Sequence, residues 1–317
     1  MDKYVFGIDV GGTTVKCGLF TAEGVVLDKW EIRTNKENSG ASILGDIADA
    51  ITAKLAEKKI EQSSVLGVGI GVPGPVKGDG TVLKCVNLGW GVFNVNEKMS
   101  ELIGLPVAAG NDANVAALGE MWKGGGQGYQ DVVMVTLGTG VGGGIILDGK
   151  IWAGSNGAGG ELGHMIVNPE ETDVCGCGGH GHLEQYASAT GIVRMAKKEL
   201  AASDVPTSLR KYDALYAKTI FDEAKAGDAV AAALVDKLCA ILAGALTHVA
   251  ATVDPQVFVI GGGVSKAGDI LTEGLKKHYN QNLLSALYDK EFRLATLGND
   301  AGIYGSAKMI LDRVTSK

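Results

Sequence analysis

The sequence predicts an α/β protein made of two similar domains, and three observations carry that prediction. At 317 residues the chain suits two α/β domains better than one. Strand patterns alternate with helical patterns in both halves. A β-hairpin around a turn rich in glycine and threonine occurs at residues 4–20 and again at 132–147. This repeat indicates two similar domains that face each other across a cleft, although two unrelated glycine-rich hairpins would give the same pattern.

Each hairpin consists of a strand, a turn and a second strand. The predicted strands are residues 4–9, 15–20, 132–137 and 145–147, and the turns are residues 10–14 and 138–144. Between the hairpins, six apolar residues from Ile43 to Leu55 follow i, i+3, i+4 spacing, which predicts an amphipathic helix over 41–58. The apolar run at 65–72 predicts a buried strand that ends at Pro73-Gly-Pro75.

The second half continues the alternation of strand and helix. The predicted elements are a helix with a polar connection over 204–228, a long helix over 228–253 ended by Asp254-Pro255, and a strand over 257–260 that runs into Gly261-Gly-Gly263. The predicted domains are residues 1–112 with a C-terminal helix at about 301–317, and residues 113–300.

Composition limits the class of protein and its partners. Apolar residues make up 46% of the chain and charged residues 21%, as in ordinary globular proteins. The net charge of −7 disfavours nucleic acid and anionic membranes as partners. Three of the five cysteines are isolated and no secretory signal is visible, which predicts a reduced, cytoplasmic protein. The most apolar long segment, residues 238–253, is short for a membrane span and predicts a buried helix.

Glycine is about twice as frequent as usual, and the 48 glycines gather directly after apolar runs. In the turn over 10–14, two glycines let backbone N–H groups approach an anion and two threonines add hydroxyl donors. Asp9 suits Mg²⁺ bound through water, and Lys16 is either its charge partner or an exposed strand residue. The turn matches neither the P-loop nor the dinucleotide fingerprint, and alone it would fit a plain tight hairpin. Together with the loops at 138–144 and 261–263, it predicts three loops around one nucleotide.

A short apolar strand leads to Asn111 and Asp112, and an alanine-rich helix follows as far as Trp122. A carboxylate at a strand end is well placed to act as a general base toward a hydroxyl group. Asn111 and Asn114 are candidates for hydrogen bonds to sugar hydroxyls. Asp112 would equally serve as the N-cap of the following helix, alone or in addition.

The segment over 161–184 carries the densest chemistry in the chain. Cys175 and Cys177, with His164 and a histidine after the second cysteine, form a Cys₂His₂ set of the kind that binds Zn²⁺ tetrahedrally. The flanking carboxylates Glu161 and Glu184 indicate a site for a polyhydroxylated ligand beside the metal. A glycine-rich loop with reduced cysteines and no metal is the alternative.

These motifs together resemble the ROK family of sugar kinases and regulators, and most of all its bacterial glucokinases. The resemblance covers about residues 4–312 and rests on Asp9-Val-Gly-Gly-Thr13, Asn111-Asp-Ala-Asn-Val-Ala116, Leu137-Gly-Thr-Gly-Val-Gly-Gly143, Glu161-x-Gly-His164 and the cysteine motif. It implies the two-domain actin-like ATPase (ribonuclease H-like) fold with an interdomain cleft. It also implies ATP-dependent phosphorylation of glucose at O6, with Mg²⁺, in glycolysis.

The resemblance assigns a role to each motif residue, with Asp112 as the catalytic base. The residues implied to bind the sugar are Asn87, Asn111, Asp112, Glu161, His164 and Glu184. Those implied to hold ATP are Asp9, Gly11, Gly12, Thr13, Thr14, Lys16, Gly138, Thr139, Gly140, Val141, Gly142 and Gly143 at the phosphates, and Gly261, Gly262 and Gly263 at the nucleoside. A structural Zn²⁺ is implied on His164, Cys175, Cys177 and His182. His182 stands where the family has a third cysteine, and replacing a thiolate by imidazole bears on affinity and on metal identity.

The resemblance also implies a homodimer or a dimer of dimers, and several alternatives stay open. In the nearest alternative, the substrate is another hexose, such as N-acetylmannosamine, fructose or allose. ADP or polyphosphate is an alternative phosphoryl donor. The family contains transcriptional repressors with a DNA-binding segment before the first strand, and a strand that begins at Tyr4 makes that class unexpected. A non-catalytic sugar sensor or a filament-forming relative is disfavoured by Asp112 within an intact sugar motif.

Overall fold

The computed structural model describes residues 3–281 and 283–315, which fall into two compact units. The first unit contains the residues up to Gln130, Gly144–Gly160 and the residues from Leu297 onward, and the second contains Asp131–Gly143 and Glu161–Thr296. The strands are β1 (Tyr4–Val10), β2 (Thr14–Thr21), β3 (Val26–Arg33), β4 (Val65–Val72), β5 (Thr81–Val82), β6 (Phe93–Asn94), β7 (Val107–Asn111), β8 (Val132–Leu137), β9 (Val141–Leu147), β10 (Lys150–Ile151), β11 (Val257–Gly261) and β12 (Glu291–Leu294). The helices are α1 (Glu37–Gly40), α2 (Ile43–Lys58), α3 (Val95–Ile103), α4 (Asp112–Lys123), α5 (Glu184–Ala187), α6 (Ala189–Ala202), α7 (Ala217–Lys225), α8 (Ala229–Val253), α9 (Asp269–Tyr279) and α10 (Ala301–Thr315).

Two five-stranded sheets follow the same plan. The first has the order β3-β2-β1-β4-β7, in which β1 pairs antiparallel with β2 and parallel with β4, and β4 pairs parallel with β7. The second has the order β10-β9-β8-β11-β12, in which β8, β11 and β12 are parallel. The hairpin repeat in the sequence therefore belongs to a repeated topology, and the predicted α/β class is confirmed.

Strand β1 is buried on both faces, which explains its continuous apolar sequence. Phe6 and Ile8 point into the core cluster that includes helix α2. Val5 packs in the cluster on the opposite face, with residues of helix α10. Because side chains alternate along a strand, Asp9 points to the same face as Val5. The alternation thus delivers the Asp9 carboxylate toward the start of α10.

Helix α10 packs directly on the backbone of the first sheet. Strand β4 alternates glycine with Val68, Ile70 and Val72, so its glycines form one face. A Cβ atom added at Gly69 would lie only 1.7 Å from the carbonyl oxygen of Ser306 in α10. The Gly-x-Gly-x-Gly run in the sequence therefore marks the place where a helix approaches the sheet.

The same close packing joins α10 to α4, and it gives a stability prediction. A Cβ atom at Gly305 would lie 1.7 Å from the carbonyl oxygen of Val115. We expect Gly305→Ala to lower the free energy of unfolding by about 1–3 kcal/mol, because the clash with backbone outweighs the helix propensity of alanine, about 1 kcal/mol. Denaturant unfolding followed by circular dichroism measures the change.

The matched control is Gly45→Ala in helix α2, where an added Cβ atom would meet nothing within 4 Å. That variant is expected to gain up to about 1 kcal/mol. A Gly305→Ala protein as stable as the Gly45→Ala protein would contradict the direct contact between α10 and α4.

Most predicted elements are found close to their predicted bounds, including α2 and the long helix α8. Helix α8 begins after Asp228, whose side chain accepts a hydrogen bond from the backbone N–H of Ala231, and ends at Asp254 with a φ of 43°. Its 25 residues are long and apolar enough to cross a membrane, and it is the one such helix among the described residues. The apolar helix is therefore longer than the segment 238–253, whose short length was the reason given against a membrane span. Half of its most apolar window is buried inside the second unit, as in a core helix.

Three features differ from the sequence prediction. Strand β9 begins at Val141, four residues before the predicted start, so the turn comprises only Gly138–Gly140. Gly144 inside β9 is explained by a close neighbour, because a Cβ atom there would lie 2.6 Å from the Ala117 side chain. The first unit also extends beyond residue 112, since α4 packs on α10. The sequence analysis did not predict helices α1, α3, α5, α6 and α9 or strands β3, β5, β6, β10 and β12.

Candidate functional site

Asn111 and Asp112 lie where strand β7 passes into helix α4. The N-cap of α4 is Asn111, whose Oδ1 accepts hydrogen bonds from the backbone N–H groups of Ala113 at 3.0 Å and Asn114 at 3.1 Å. Asp112 is the first residue of the helix, and its Oδ1 accepts from Ala113 N–H at 2.8 Å. The reading of Asp112 as the N-cap is therefore wrong, because its neighbour takes that role.

The amide of Asn111 also fixes the Asp112 carboxylate. Its Nδ2 donates to Asp112 Oδ1 at 3.0 Å and to the carbonyl oxygen of Gly74 at 3.1 Å. The side chain of Asn114 is only 2% exposed and donates to the carbonyl oxygen of Gly159 at 3.0 Å. Asn114 is thus a structural residue, while Asn111 orients Asp112.

Asn87 lies exposed in a short 3₁₀ turn, Val86–Leu88. The neighbouring Cys85 is buried, and burial raises the pKa of its thiol. The negative charge of Asp112 raises that pKa further. The segment that carries Asn87 therefore passes near Asp112.

The turn after β1 is held by a residue that the sequence reasoning missed. Thr34 Oγ1 donates to the carbonyl oxygen of Gly11 at 2.7 Å, and Thr34 N–H donates to the carbonyl oxygen of Thr13 at 2.9 Å. In a trans peptide the N–H points away from the C=O. Fixing these carbonyl groups therefore turns the N–H groups of the turn the other way, as an anion site requires.

Asp9 lies beside this turn and is half buried. Burial raises the pKa of its carboxyl group, and Lys16, opposite it on β2, counteracts part of that rise. Lys16 Nζ donates to the carbonyl oxygen of Asn299 at 3.0 Å. A Cβ atom at Gly302 would lie 2.7 Å from Asp9 Oδ2, so the carboxylate packs against the first turn of α10. A partly desolvated carboxylate of this kind is stabilised by a cation.

In the second unit, two of the predicted loops lie side by side. Strands β8 and β11 are parallel neighbours, with Gly261 opposite Thr136. Gly262 has a φ of 81°, and a Cβ atom there would lie 2.5 Å from the carbonyl oxygen of Leu137. The loops at 138–140 and 261–263 thus meet at the carboxyl ends of parallel strands, where α/β sheets bind ligands.

The cysteine and histidine side chains converge in the same unit. Candidate ligand atoms of His164, Cys175, Cys177 and His182 all lie within 4.8 Å of one another. The Sγ atom of Cys177 lies 3.2 Å from His182 Nδ1, and the rings of His164 and His182 are 5.3 Å apart between centroids. Spacing in the sequence does not select among the histidines, and the structure leaves His180 outside this group, with Nδ1 3.3 Å from the carbonyl oxygen of Asp173.

The donor set fits a tetrahedral Zn²⁺ ion. Bond lengths of about 2.0–2.3 Å place the ligand atoms of such a site about 3.3–3.8 Å apart, so side-chain shifts of about 1 Å would close this cluster. Cys175 is 4% exposed, and burial raises the pKa of its thiol to about 11. Metal binding would therefore displace a proton from Cys175.

Glu184 connects the cluster to the loop at 138–140. Its Oε1 accepts a hydrogen bond from Cys175 Sγ at 2.9 Å. A Cβ atom at Gly140 would lie 2.5 Å from its Oε2, so the carboxylate lies directly against the backbone of that loop. Glu161, the second carboxylate that flanks the cysteine motif, has its Oε2 3.9 Å from His164 Nε2.

A network of hydrogen bonds and ion pairs, here called the brace, holds the segment before Cys175. The carboxylate of Glu171 is 7% exposed and accepts from Tyr186 Oη at 2.6 Å and Arg194 Nη1 at 2.7 Å. Arg194 also bonds Asp173 at 2.7 Å and the carbonyl oxygen of Gln185 at 3.1 Å. The Arg194 guanidinium group thus links the residues just before Cys175 to Gln185, which follows His182.

This brace predicts an acid-sensitive contribution to stability. Hydrogen bonds from the Tyr186 hydroxyl, the backbone N–H of Asp173 and Arg194, in that order of effect, hold the pKa of Glu171 well below its usual 4.5. A depressed folded pKa contributes stability above the unfolded value, and that stability is lost as the pH falls below about 4.5. We expect Glu171→Gln to lower the melting temperature at pH 7 and to flatten its fall between pH 5 and 3, roughly the window set by that linkage, in thermal unfolding.

The neighbouring Glu170 is exposed and supplies the control, because Glu170→Gln should melt like the wild type at every pH. Parallel melting curves for the Glu171→Gln variant and the wild type across the acid range would count against the brace.

Comparisons with known proteins agree along nearly the whole chain. A family model described as the ROK family matches residues 5–313. A glucokinase from Halalkalibacterium halodurans is 45% identical over 320 aligned positions, which cover 99% of this chain and 97% of the relative. The structure of a ROK family glucokinase from Streptomyces griseus, in complex with glucose and AMPPNP, is 35% identical with a TM-score of 0.72, covering 96% of this chain and 98% of that one. A ROK hexokinase from Thermus thermophilus is 30% identical with a TM-score of 0.81, covering 99% and 100%.

Proposed function

Because this chain belongs to the ROK family, we infer that it is an ATP-dependent kinase that phosphorylates glucose at O6. Its fold is the two-domain actin-like ATPase fold of the ROK sugar kinases. The observation that carries the inference is the Asn111–Asp112 pair at the end of β7, within a chain 45% identical to a glucokinase. The full-length similarity to a glucokinase structure with glucose and AMPPNP supports the same substrates.

We propose Asp112 as the base of the reaction. As O6 attacks the γ-phosphorus of ATP, the O6 proton passes to the Asp112 carboxylate, the bond between O6 and phosphorus forms, and ADP leaves with the bridging oxygen. The transition state of phosphoryl transfer is loose, so catalysis is mainly positioning and charge stabilisation. Asn111 fits the positioning role, because its amide fixes Oδ1 of Asp112.

We propose that the sugar hydroxyls bind to Asn87, Asn111, Glu161, His164 and Glu184. The phosphates of ATP are proposed to bind the turn at 11–14 and the loop at 138–143, with the nucleoside beside Gly261–Gly263. Support comes from the carbonyl groups fixed by Thr34 and from the meeting of the two loops of the second unit. Bound with ATP, Mg²⁺ would neutralise phosphate charge, and the half-buried Asp9 with its raised pKa suits a water-mediated contact to it.

We further propose that His164, Cys175, Cys177 and His182 hold a structural Zn²⁺ that shapes the sugar site. The convergence of their ligand atoms within 4.8 Å supports this. From the resemblance we also propose a homodimer or dimer of dimers that works in the cytoplasm at the entry to glycolysis.

A panel of hexoses tests the sugar. With ATP and Mg²⁺, we expect glucose to give the highest kcat/KM, ahead of N-acetylmannosamine, fructose and allose, in an assay that couples ADP release to NADH oxidation. Sugar-dependent ADP release should fall about 10²–10⁴-fold in the Asp112→Ala protein, which serves as the control. A clear preference for another hexose would overturn glucose as the substrate and leave the kinase reaction intact.

A further inference from the structure

A cavity of about 530 Å³ lies along the open edge of the first sheet, and all the residues that line it belong to the first unit. Strand β7 is the outermost strand of that sheet and, among the described strands, pairs with β4 alone. Residues Ala108–Gly110 of β7 line the cavity, together with residues of α4, β10 and α10 and of the segment after β4. Its volume is that of a site for a metabolite-sized ligand, about 300–1,000 Å³.

The backbone of β7 presents free hydrogen-bonding groups at this edge. Val68 N–H donates to the carbonyl oxygen of Pro106 at 2.9 Å, so that carbonyl faces β4. Successive residues of a strand in a parallel pair alternate in direction, and the carbonyl oxygen of Val107 accordingly accepts from Arg313 Nη1 at 2.8 Å on the open side. Ala109, two residues further on, points the same way as Val107.

Ala109 is only 8% exposed. Neither its N–H nor its C=O has a hydrogen-bond partner in the part of the chain that the structure describes. Buried backbone groups in native proteins are almost always paired, with protein, water or ligand. The cavity therefore offers one donor and one acceptor, side by side, to a molecule that enters it.

The charged side chains of the lining are mostly cationic. Lys77, Lys150 and Arg313 line the cavity, and neither lysine forms an ion pair with any described residue. The one acidic residue of the lining, Asp312, pairs with Lys308 of its own helix. The cavity thus carries an excess of positive charge within a chain whose net charge is −7. A local excess of this kind favours a ligand with a multiply charged anionic group.

A sugar phosphate matches each of these features. Its phosphate carries about two negative charges at neutral pH and pairs with the cations. Each sugar hydroxyl both donates and accepts, so the hydroxyls can satisfy the N–H and C=O of Ala109. The C–H groups of the sugar pack on apolar wall residues such as Val76 and Ile151. An extended peptide fits less well, because Arg313 already occupies the Val107 carbonyl and interrupts the row of edge groups.

We propose that this cavity, here called the edge site, binds a sugar phosphate, separately from the Asn111–Asp112 pair. Asn111 lies on the cavity wall, but its amide already donates to the carbonyl oxygen of Gly74 and to Asp112. The ligand of the edge site is therefore held by the cations and by Ala109. The edge site does not depend on the proposed reaction, since none of these groups has been assigned a part in it.

Isothermal titration calorimetry tests the edge site with glucose 6-phosphate, ribose 5-phosphate, glucose and inorganic phosphate. The full-length protein is first saturated with glucose, AMPPNP and Mg²⁺, which fills the proposed catalytic site. Lys77→Met and Lys150→Met keep the aliphatic stem and remove the charge. Lys59→Met is the matched control, because Lys59 is an exposed lysine at the end of α2, in the same unit and outside the cavity.

We expect at least one of the two sugar phosphates to bind with a Kd at or below about 1 mM. Glucose and inorganic phosphate should bind at least about tenfold more weakly, since each lacks half of the contacts. Each cavity variant should weaken sugar phosphate binding about threefold to tenfold, and Lys59→Met should leave it unchanged. Preference for glucose 6-phosphate would identify the product of the proposed reaction as the ligand, and preference for ribose 5-phosphate would identify another sugar phosphate.

Two results would overturn the edge site. One is inorganic phosphate that binds as tightly as both sugar phosphates. The other is an equal loss of affinity in Lys59→Met and in the two cavity variants. If the protein binds neither glucose nor AMPPNP, the proposed function fails, and the same titration of the unliganded protein still decides whether the edge site exists.

Discussion

Replacing Asp112 with alanine is expected to lower kcat for glucose phosphorylation by about 10²–10⁴-fold, while KM for glucose should stay within a few-fold of the wild-type value. As the proposed base, Asp112 acts on a proton that moves only as O6 attacks, so its removal raises the energy of the transition state. The ground-state complex keeps its other hydrogen bonds, and KM changes little. Steady-state kinetics with ATP and Mg²⁺ separate the two constants.

A second variant separates the charge of Asp112 from its place in the helix. Asp112→Asn keeps an oxygen that can accept from Ala113 N–H but cannot take up a proton from O6. We therefore expect it to lose as much kcat as the alanine variant. Asp46→Ala, which removes a carboxylate from the first turn of α2, should leave kcat unchanged. A near-normal kcat in both Asp112 variants would exclude Asp112 as the base.

The fold was predictable where the signal is local. Six apolar residues at helical spacing mark α2, and turn residues mark both hairpins. No single segment of the sequence predicts the order of strands in a sheet. The repeated hairpin nevertheless indicated two similar domains, and the two sheets do share one topology. Strand β9 was predicted too short, because its glycines were assigned to the turn, whereas close packing against α4 accounts for the glycine at Gly144.

The motifs of the candidate site were predictable from the sequence, but the residues that hold those motifs in place were not. Asn111 and Asp112 are adjacent, so their pairing could be anticipated. The sequence did not show that Asn111 caps helix α4 and also donates a hydrogen bond to the Asp112 carboxylate. Thr34 and Thr190 act on loops 23 and 51 residues away, and no periodicity or spacing reports such contacts. Thr190 was therefore unpredicted even though the loop it holds was singled out.

Metal retention is expected to depend on His182 and not on His180. His182→Ala removes one of four converging donors, and we expect zinc affinity to fall at least about 100-fold, since loss of a mere supporting partner costs about 10–100-fold. Competition with a chromophoric chelator gives the affinity, and metal analysis gives the zinc content of purified protein.

His180→Ala is the matched control, because that imidazole lies in the same loop but outside the four converging donors, with its Nδ1 3.3 Å from the carbonyl oxygen of Asp173. It should keep the zinc affinity of the wild type. His182→Cys supplies the thiolate that the family has at this position, and a softer donor set should bind zinc more tightly than the wild type. Equal zinc affinity in His182→Ala and His180→Ala would exclude His182 as a ligand. If only His182→Ala loses zinc and His182→Cys binds it again, then the His182 imidazole is a zinc ligand at the position where the family has a cysteine thiolate.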